Sequence, residues 1–369
     1  MSEAKQGTAG VRAAWLERRK NFRPQGISIS EQALVRAEPL PGGGTLPLVI
    51  SPGVGGLDLA EWAAGHRDFI AASLLRHGGL LFRDFGLTNH LDFDKFLSAI
   101  ELPRMHYMEG ATPRTELSEK VYTSTEYPSD QHIALHNELN YVLTWPMKIF
   151  FFCVTAPDEG GETPVADVRR VYERVSPEVR RRFERHGWML VRNFGEHMSL
   201  PWQTSFRVST RAGLEDYCRA NRIECVWKEG GRVQTRQVRP AVRRHLRTGE
   251  PLWFNHVAFW HVSSLPAPLR EMFVAEFGEE GLPYNTYYGD GQPIEDEVVA
   301  RLHEAYRQET VAFPWRRGDL LMLDNMLIAH GRRPFSGARK ILAAMGEPCN
   351  DEDLRRAHGD GAVAVGEPS

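Results

Sequence analysis

Three side chains frame the chemistry open to this chain: His136, Glu138 and the distant His330. A histidine, a carboxylate two residues on and a second histidine far downstream make up the 2-His-1-carboxylate facial triad. That triad holds non-haem Fe(II) on one face and leaves the opposite face open for a co-substrate and O2. Its chemistry is oxygenation. The spacing alone is cheap, however. With 14 His and 48 Asp plus Glu in 369 residues, chance supplies about two His-x-Asp/Glu matches. Four are present: His66/Asp68, His90/Asp92, His136/Glu138 and His358/Asp360.

The surrounding elements separate the four. Leu46 to Ile50 reads as a short strand inside a Pro/Gly-rich stretch. Asp58 caps a helix running to about His77, and Gly78-Gly79 stops it before a buried strand at Leu80-Leu81-Phe82. A second helix spans Asp92 to Ile100. Lys148 to Thr155 is rich in aromatic and β-branched residues and reads as a strand, followed by a Gly160-Gly161 turn and a strand at Thr163 to Ala166. Valines at helical spacing make 167–187 a helix. Further helices run from Pro268 to Glu276 and from Glu295 to Thr310, before strands at Leu320 to Leu323 and Lys340 to Ala344.

The pattern is mainly β with helical decoration (α+β), and its expected core is a jelly roll. Residues 1–45 read as a partly flexible arm, 46–346 as one domain and 347–369 as a disordered polar tail.

In this frame His136 and Glu138 stand just before the strand region, where residues i and i+2 of an extended segment share a face. His66 and Asp68 fall in a helix and diverge. His90/Asp92 marks a helix start, with Asp92 a capping candidate, and His358/Asp360 belongs to the tail. His66-Arg67-Asp68 with Asp84-Phe85-Gly86 imitates two kinase signatures. The Asn required after such an Asp is replaced by Ser73, and no glycine-rich loop precedes it.

Bulk properties exclude other classes. A net charge of −3 and ordinary composition leave no footprint for nucleic acid or an anionic membrane. No apolar run is long enough to span a bilayer, and none near the start reads as a signal peptide. Cys153, Cys218, Cys225 and Cys349 lack disulfide or zinc spacing. A reducing cytoplasm is the expected location.

His330 follows a buried strand and leads into Arg332, Arg333 and then Arg339. An arginine after the distal histidine suits a 2-oxoglutarate site. That co-substrate chelates Fe(II) through its keto-acid end, and its far carboxylate needs a rigid, bidentate, always-charged partner.

With these residues in view, the chain resembles the taurine dioxygenase superfamily of Fe(II)/2-oxoglutarate oxygenases, and within it the branch around the syringomycin-biosynthesis hydroxylase. The likeness covers roughly residues 45–346 and is carried by several stretches. They include Gly79 to Phe85, His136-Asn137-Glu138-Leu139-Asn140-Tyr141, Gly160 to Asp167, Trp253-Phe254-Asn255, Tyr288 to Gly291, and Asp324-Asn325 through Arg339.

The resemblance implies a double-stranded β-helix core, with Fe(II) on His136, Glu138 and His330. It implies that Arg339 and the Thr163 hydroxyl hold 2-oxoglutarate, and that O2 is the oxidant. It also implies an amino-acid-like substrate, free or loaded on a peptidyl carrier protein, in natural-product biosynthesis. Asn140, Tyr141, Arg332 and Arg333 are the substrate candidates. Glu138 stands where taurine dioxygenase has Asp, and Ala343 where relatives often carry a second Arg, which points away from a sulfonate substrate. The related iron halogenases replace the carboxylate with Gly or Ala, so Glu138 implies hydroxylation. Desaturation or epoxidation by the same cofactors is the alternative outcome, and a non-catalytic jelly-roll binding module is the alternative class.

Overall fold

The computed structural model describes residues 34–363 apart from 41–43, 108, 110–115, 119, 125–126, 197 and 199. Two facing sheets form its centre. In the larger the strand order is Val35–Pro39, Leu48–Pro52, Gly79–Phe82, Leu320–Asp324, Thr144–Thr155, Lys340–Asn350, Val121–Thr123 and Glu116–Ser118. Only Leu48–Pro52 and Gly79–Phe82 pair in parallel; the other ladders of this sheet are antiparallel. The smaller sheet has the antiparallel order Thr310–Val311, Val165–Asp167, Ile328–Arg332 and Ile133–His136. This is the expected jelly roll with helical decoration.

Residues 149–153 of strand Thr144–Thr155 form an unbroken apolar run because both faces are buried there. Ile149, Phe151 and Cys153 point into the core between the sheets, with Leu321, Leu323, Ile341 and Ala343. Phe150 and Phe152 point the other way, against helices Leu59–Gly65, Arg67–His77 and His90–Ala99. A third sheet, in the order Glu224–Trp227, Val233–Arg239, Trp188–Phe194 and Tyr284–Tyr288, is inserted between the core strands in sequence. Among the described residues no helix is long and apolar enough to cross a membrane.

Several elements depart from the sequence pattern. The helix capped by Asp58 ends at Gly65, and a second begins at Arg67, with His66 non-helical between them. Residues 167–187 form two helices, because Ser176 caps a new one with Pro177 at its first position. Helix His90–Ala99 is capped by Asn89, with Asp92 closing the capping box.

The segment expected as an arm contributes Val35–Pro39 to the large sheet, while residues 1–33 lie outside the described part. The expected tail is structured as far as Val363. The last strand runs to Asn350, and helix Asp351–His358 follows, held by buried Leu354 and an Asp351–Arg243 ion pair of 2.8 Å.

Buried histidines couple this fold to pH. The His261 Nδ1 accepts from the Ser263 N–H and faces the Ser263 hydroxyl, and burial pushes its pKa down to about 4. His303 is lowered by the same cause. Between the ordinary histidine value and the depressed one, the unfolded chain binds more protons than the folded one. Stability is therefore complete above about pH 6.5 and declines as pH falls, by up to about 1.4 kcal/mol per unit for each such group. Melting temperatures between pH 7 and 4.5 should show this slope, and His261→Asn should flatten it; equal slopes would contradict the assignment.

Candidate active site

The site is built where the edge strand of the small sheet, Ile133–His136, pairs with its neighbour Ile328–Arg332. His330 on Ile328–Arg332 lies directly opposite His136 on Ile133–His136, and the two rings are 4.5 Å apart, centroid to centroid. The ladder shifts register just after His330. At Gly331 a Cβ would come within 2.5 Å of the Ile133 carbonyl oxygen, so a glycine is needed for the strands to approach this closely. The His136 Nδ1–H donates to the Ala134 carbonyl at 2.9 Å, which leaves its Nε2 lone pair as the ligand atom.

Glu138 reaches the same point by another route than shared strand geometry. The strand ends at His136, and the chain turns through Leu139 at φ 54. The turn is braced from across the molecule. The Asn325 Oδ1 accepts from the Glu138 N–H at 2.7 Å, while its Nδ2 donates to the carbonyls of Glu138 (2.9 Å) and Pro146 (2.8 Å). Asn137 donates back to the Asn325 carbonyl at 2.7 Å. As a result, one donor atom from each of His136, Glu138 and His330 lies within 4.8 Å of the other two.

Two imidazoles and a carboxylate on one face, largely sealed from water, suit a first-row divalent ion with an open side. Asn325→Ala should loosen Glu138 and cost about 10–100-fold in metal affinity, read by metal titration of the purified apoprotein. An unchanged affinity would mean that the turn holds itself.

His136 and His330 share a cavity with Ser124, Ile133, Phe151, Thr163, Gly331, Arg332 and Arg339. The Arg339 Nε donates to the Gly161 carbonyl at 3.0 Å and Nη1 to the Ser124 Oγ at 3.4 Å. Burial, with the like charge of Arg332, pushes the Arg339 guanidinium down to about 10, so it stays charged at neutral pH. The Thr163 hydroxyl accepts from the Trp315 Nε1–H at 3.2 Å and is almost wholly buried. Phe151 and Phe259 pack on His330 and His136 at 4.9 and 4.8 Å, forming dry walls.

The four substrate candidates separate. Arg332 lines the cavity, but its guanidinium donates to the carbonyls of Tyr127, Pro128 and Gln131 and ties that loop down. Arg333 turns outward toward Glu162, 3.8 Å away, and lines a different cleft. Asn140 is buried with its Oδ1 against the His256 Nδ1, and the Tyr141 hydroxyl donates to the Glu109 carbonyl at 2.9 Å.

The rival motifs have structural partners. The His66 Nδ1–H donates to Trp62, and His358 bonds the carbonyls of His245 and Leu246.

Sequence reasoning gave no role to Ser124, Trp315, His256 or Phe259, and did not see Asn325 as a brace. Asn325 had a signal, a polar pair at the end of a buried apolar strand; the others had none.

A model of the taurine catabolism dioxygenase TauD, TfdA family matches residues 37–345. Over 275 residues the chain is 37% identical to the dapdiamide synthesis protein DdaC of Enterobacter agglomerans, covering 74% of this chain and 84% of that one. It is 31% identical over 293 residues to a clavaminate synthase-like protein of Arabidopsis thaliana, covering 76% and 84%. Its fold is shared with PvcB of Pseudomonas aeruginosa, with a TM-score of 0.52 at 20% identity over 87% of this chain and 93% of that one. PvcB is an Fe, α-ketoglutarate-dependent oxygenase from an isonitrile synthetic pathway.

Proposed function

The chain belongs to the taurine catabolism dioxygenase TauD, TfdA family, an Fe(II)- and 2-oxoglutarate-dependent class, and we propose that it hydroxylates an amino-acid-like small molecule in a biosynthetic pathway. In this reading His136, Glu138 and His330 hold the iron, and Arg339 with Thr163 holds 2-oxoglutarate. The observation that carries it is the shared cavity. Two of the three metal-ligand candidates open onto the same space as a partly buried arginine and a buried hydroxyl. The dapdiamide-synthesis relative and the isonitrile-pathway oxygenase support a biosynthetic role.

When bound, iron with 2-oxoglutarate and O2 supplies the oxidising power to place an oxygen atom in a C–H bond, 2-oxoglutarate leaving as succinate and CO2. The chain's own residues orient and exclude. Arg339 presents a planar fork to the far carboxylate of 2-oxoglutarate. Thr163, fixed by Trp315, adds a hydroxyl. Asn325 keeps the Glu138 turn closed, and the Ala134 carbonyl fixes the His136 tautomer. Phe151 and Phe259 keep water from the imidazoles.

Purified protein with Fe(II), ascorbate, 2-oxoglutarate and O2 should form succinate, faster with a suitable amino acid and with a product 16 mass units heavier. A product two mass units lighter instead would redirect the reading to desaturation. No succinate under any condition would remove it.

A further inference from the structure

Three arginines near the inserted third sheet are almost wholly buried, and two of them have close anionic or carbonyl partners, although the Arg243 Nη2 is left without one. Arg239 donates to the carbonyls of Tyr141, Arg222, Val238 and Asn221. Arg243 pairs with Asp351 at 2.8 Å. Arg192, 1% exposed, is the exception. Among the described residues it has no carboxylate partner. Its hydrogen bonds are long, 3.4 Å to the Glu109 carbonyl and 3.5 Å to the Ser205 Oγ, and its Nε is sealed without any. The rings of Phe194, Phe206 and Tyr284 lie 4.8, 5.5 and 5.5 Å from the guanidinium carbon. Aromatic faces soften a buried cation but do not replace an anion.

Beside it is the complementary defect. Glu109 is fully buried; its Oε1 accepts from the Tyr217 hydroxyl at 2.8 Å, while its Oε2 has no partner. Burial holds this carboxyl above the usual carboxylate range, and the charges of Arg192 and Arg239 oppose that shift. The Glu109 backbone carbonyl accepts from both Arg192 and Tyr141 and so ties this corner to Tyr141.

A series of contacting aromatic rings connects this pair to the metal-ligand candidates. Tyr284 stacks on Trp260 at 5.7 Å, Trp260 on His256 at 4.5 Å, and His256 lies 5.5 Å from His136. Tyr141 packs edge-on to both Trp260 and His256.

We propose that Arg192 and Glu109 form the head-group site for a free α-amino acid, Arg192 taking the carboxylate and Glu109 the ammonium. The proposal rests on the reading of the chain as an oxygenase of an amino-acid-like substrate. A zwitterion brings both missing charges on one carbon and is neutral overall, so it can be buried on an Arg/Glu pair without leaving net charge behind. An aminoacyl thioester would bring the ammonium alone and leave the guanidinium without an anion.

The test uses the full chain with Fe(II), 2-oxoglutarate and O2. The probes are the proteinogenic L-amino acids, each offered as free acid and as primary amide, and the readout is succinate above the rate without substrate. At least one free acid should stimulate turnover, and its amide should need at least about tenfold more for the same rate. Arg192→Gln should raise the amino-acid KM about 100-fold with a small change in kcat, and should nearly abolish the preference for acid over amide. Arg192→Lys should recover part of that preference. Glu109→Gln should raise the same KM.

A structural arginine would behave differently. Its removal would lower the melting temperature, whereas neutralising an unpaired buried charge leaves it unchanged or raises it. Equal use of acid and amide by the wild type, an Arg192→Gln variant that keeps the preference, or stimulation by no free amino acid would each overturn the proposal. Substrate-free succinate formation separates these outcomes from failure of the oxygenase reading, which would abolish succinate altogether and the head-group site with it.

Discussion

His136→Ala should abolish stoichiometric iron binding and lower turnover by on the order of 1000-fold or more. The imidazole is one of three donors that, among the described residues, come within 4.8 Å of one another, and the remaining pair, Glu138 and His330, is too small a set to fix an ion's open face. The loss should be chemical and not structural. His136 ends a strand at the margin of the small sheet, and its ring contacts are to Phe259, His256 and His330. Truncating a half-buried ring there should cost about 1–2 kcal/mol of apoprotein stability.

Metal analysis after dialysis against Fe(II), paired with a thermal melt of the apoprotein, checks both parts. Bound metal near one per chain, or turnover within tenfold of wild type, would remove His136 from the ligand set. Glu138→Ala should lose metal as completely while leaving the turn braced, whereas Asn325→Ala loosens the turn. The Glu138 substitution leaves the Asn325 bonds to the backbone of residue 138 in place, so the two effects can be told apart.

What the sequence made legible follows the range of the interactions. Asp58 as a cap, Gly78 as a stop and the strand through Lys148 to Thr155 are local signals, and each appears where its residues put it. Ser176-Pro177 was also a readable start signal, but the valine periodicity runs across it, and 167–187 looked continuous. The C-terminal helix has a capping box at Asn350 and Asp353, yet only Leu354 is buried among its eight residues. Polarity hid it; the Arg243–Asp351 pair that holds it joins positions 108 apart in the chain.

The site shows the same division. His136, Glu138 and His330 were found by type and spacing, and the structure does bring them together. The reason offered for their convergence, a shared strand face, does not hold. The turn at Leu139 and its brace from Asn325 do the work, and a contact spanning 187 positions leaves no periodic trace. Asn140 and Tyr141 were named for their nearness to the motif in sequence. In space the Asn140 amide meets His256 and the Tyr141 hydroxyl meets the Glu109 carbonyl, and no local pattern could have pointed to Arg192.

Arg339→Gln should raise the KM for 2-oxoglutarate by about 100-fold or more, with a much smaller change in kcat at saturation. Burial pushes the guanidinium down to about 10, and it remains protonated by about a thousand to one at pH 7. The apoprotein therefore carries a partly desolvated cation that, among the described residues, hydrogen bonds to Gly161 and Ser124 and the Phe335 ring help to hold. A dicarboxylate entering the cavity supplies the missing anion, so removing the charge should weaken binding without unfolding the chain. Arg339→Lys should not restore affinity. An ammonium cannot make the paired bonds of the fork, and the same burial would push it further toward its neutral form.

Gly161→Ala tests the positioning without touching the charge. At φ 67 its Cβ would sit 2.9 Å from the Phe335 Cβ and 3.1 Å from the Arg339 Cδ, so the arginine must shift or the turn must open. Its 2-oxoglutarate KM should fall between wild type and Arg339→Gln. The measurement is initial-rate succinate formation across a 2-oxoglutarate series at fixed iron and substrate. If all three variants keep a wild-type KM, the far carboxylate of 2-oxoglutarate is not held by Arg339.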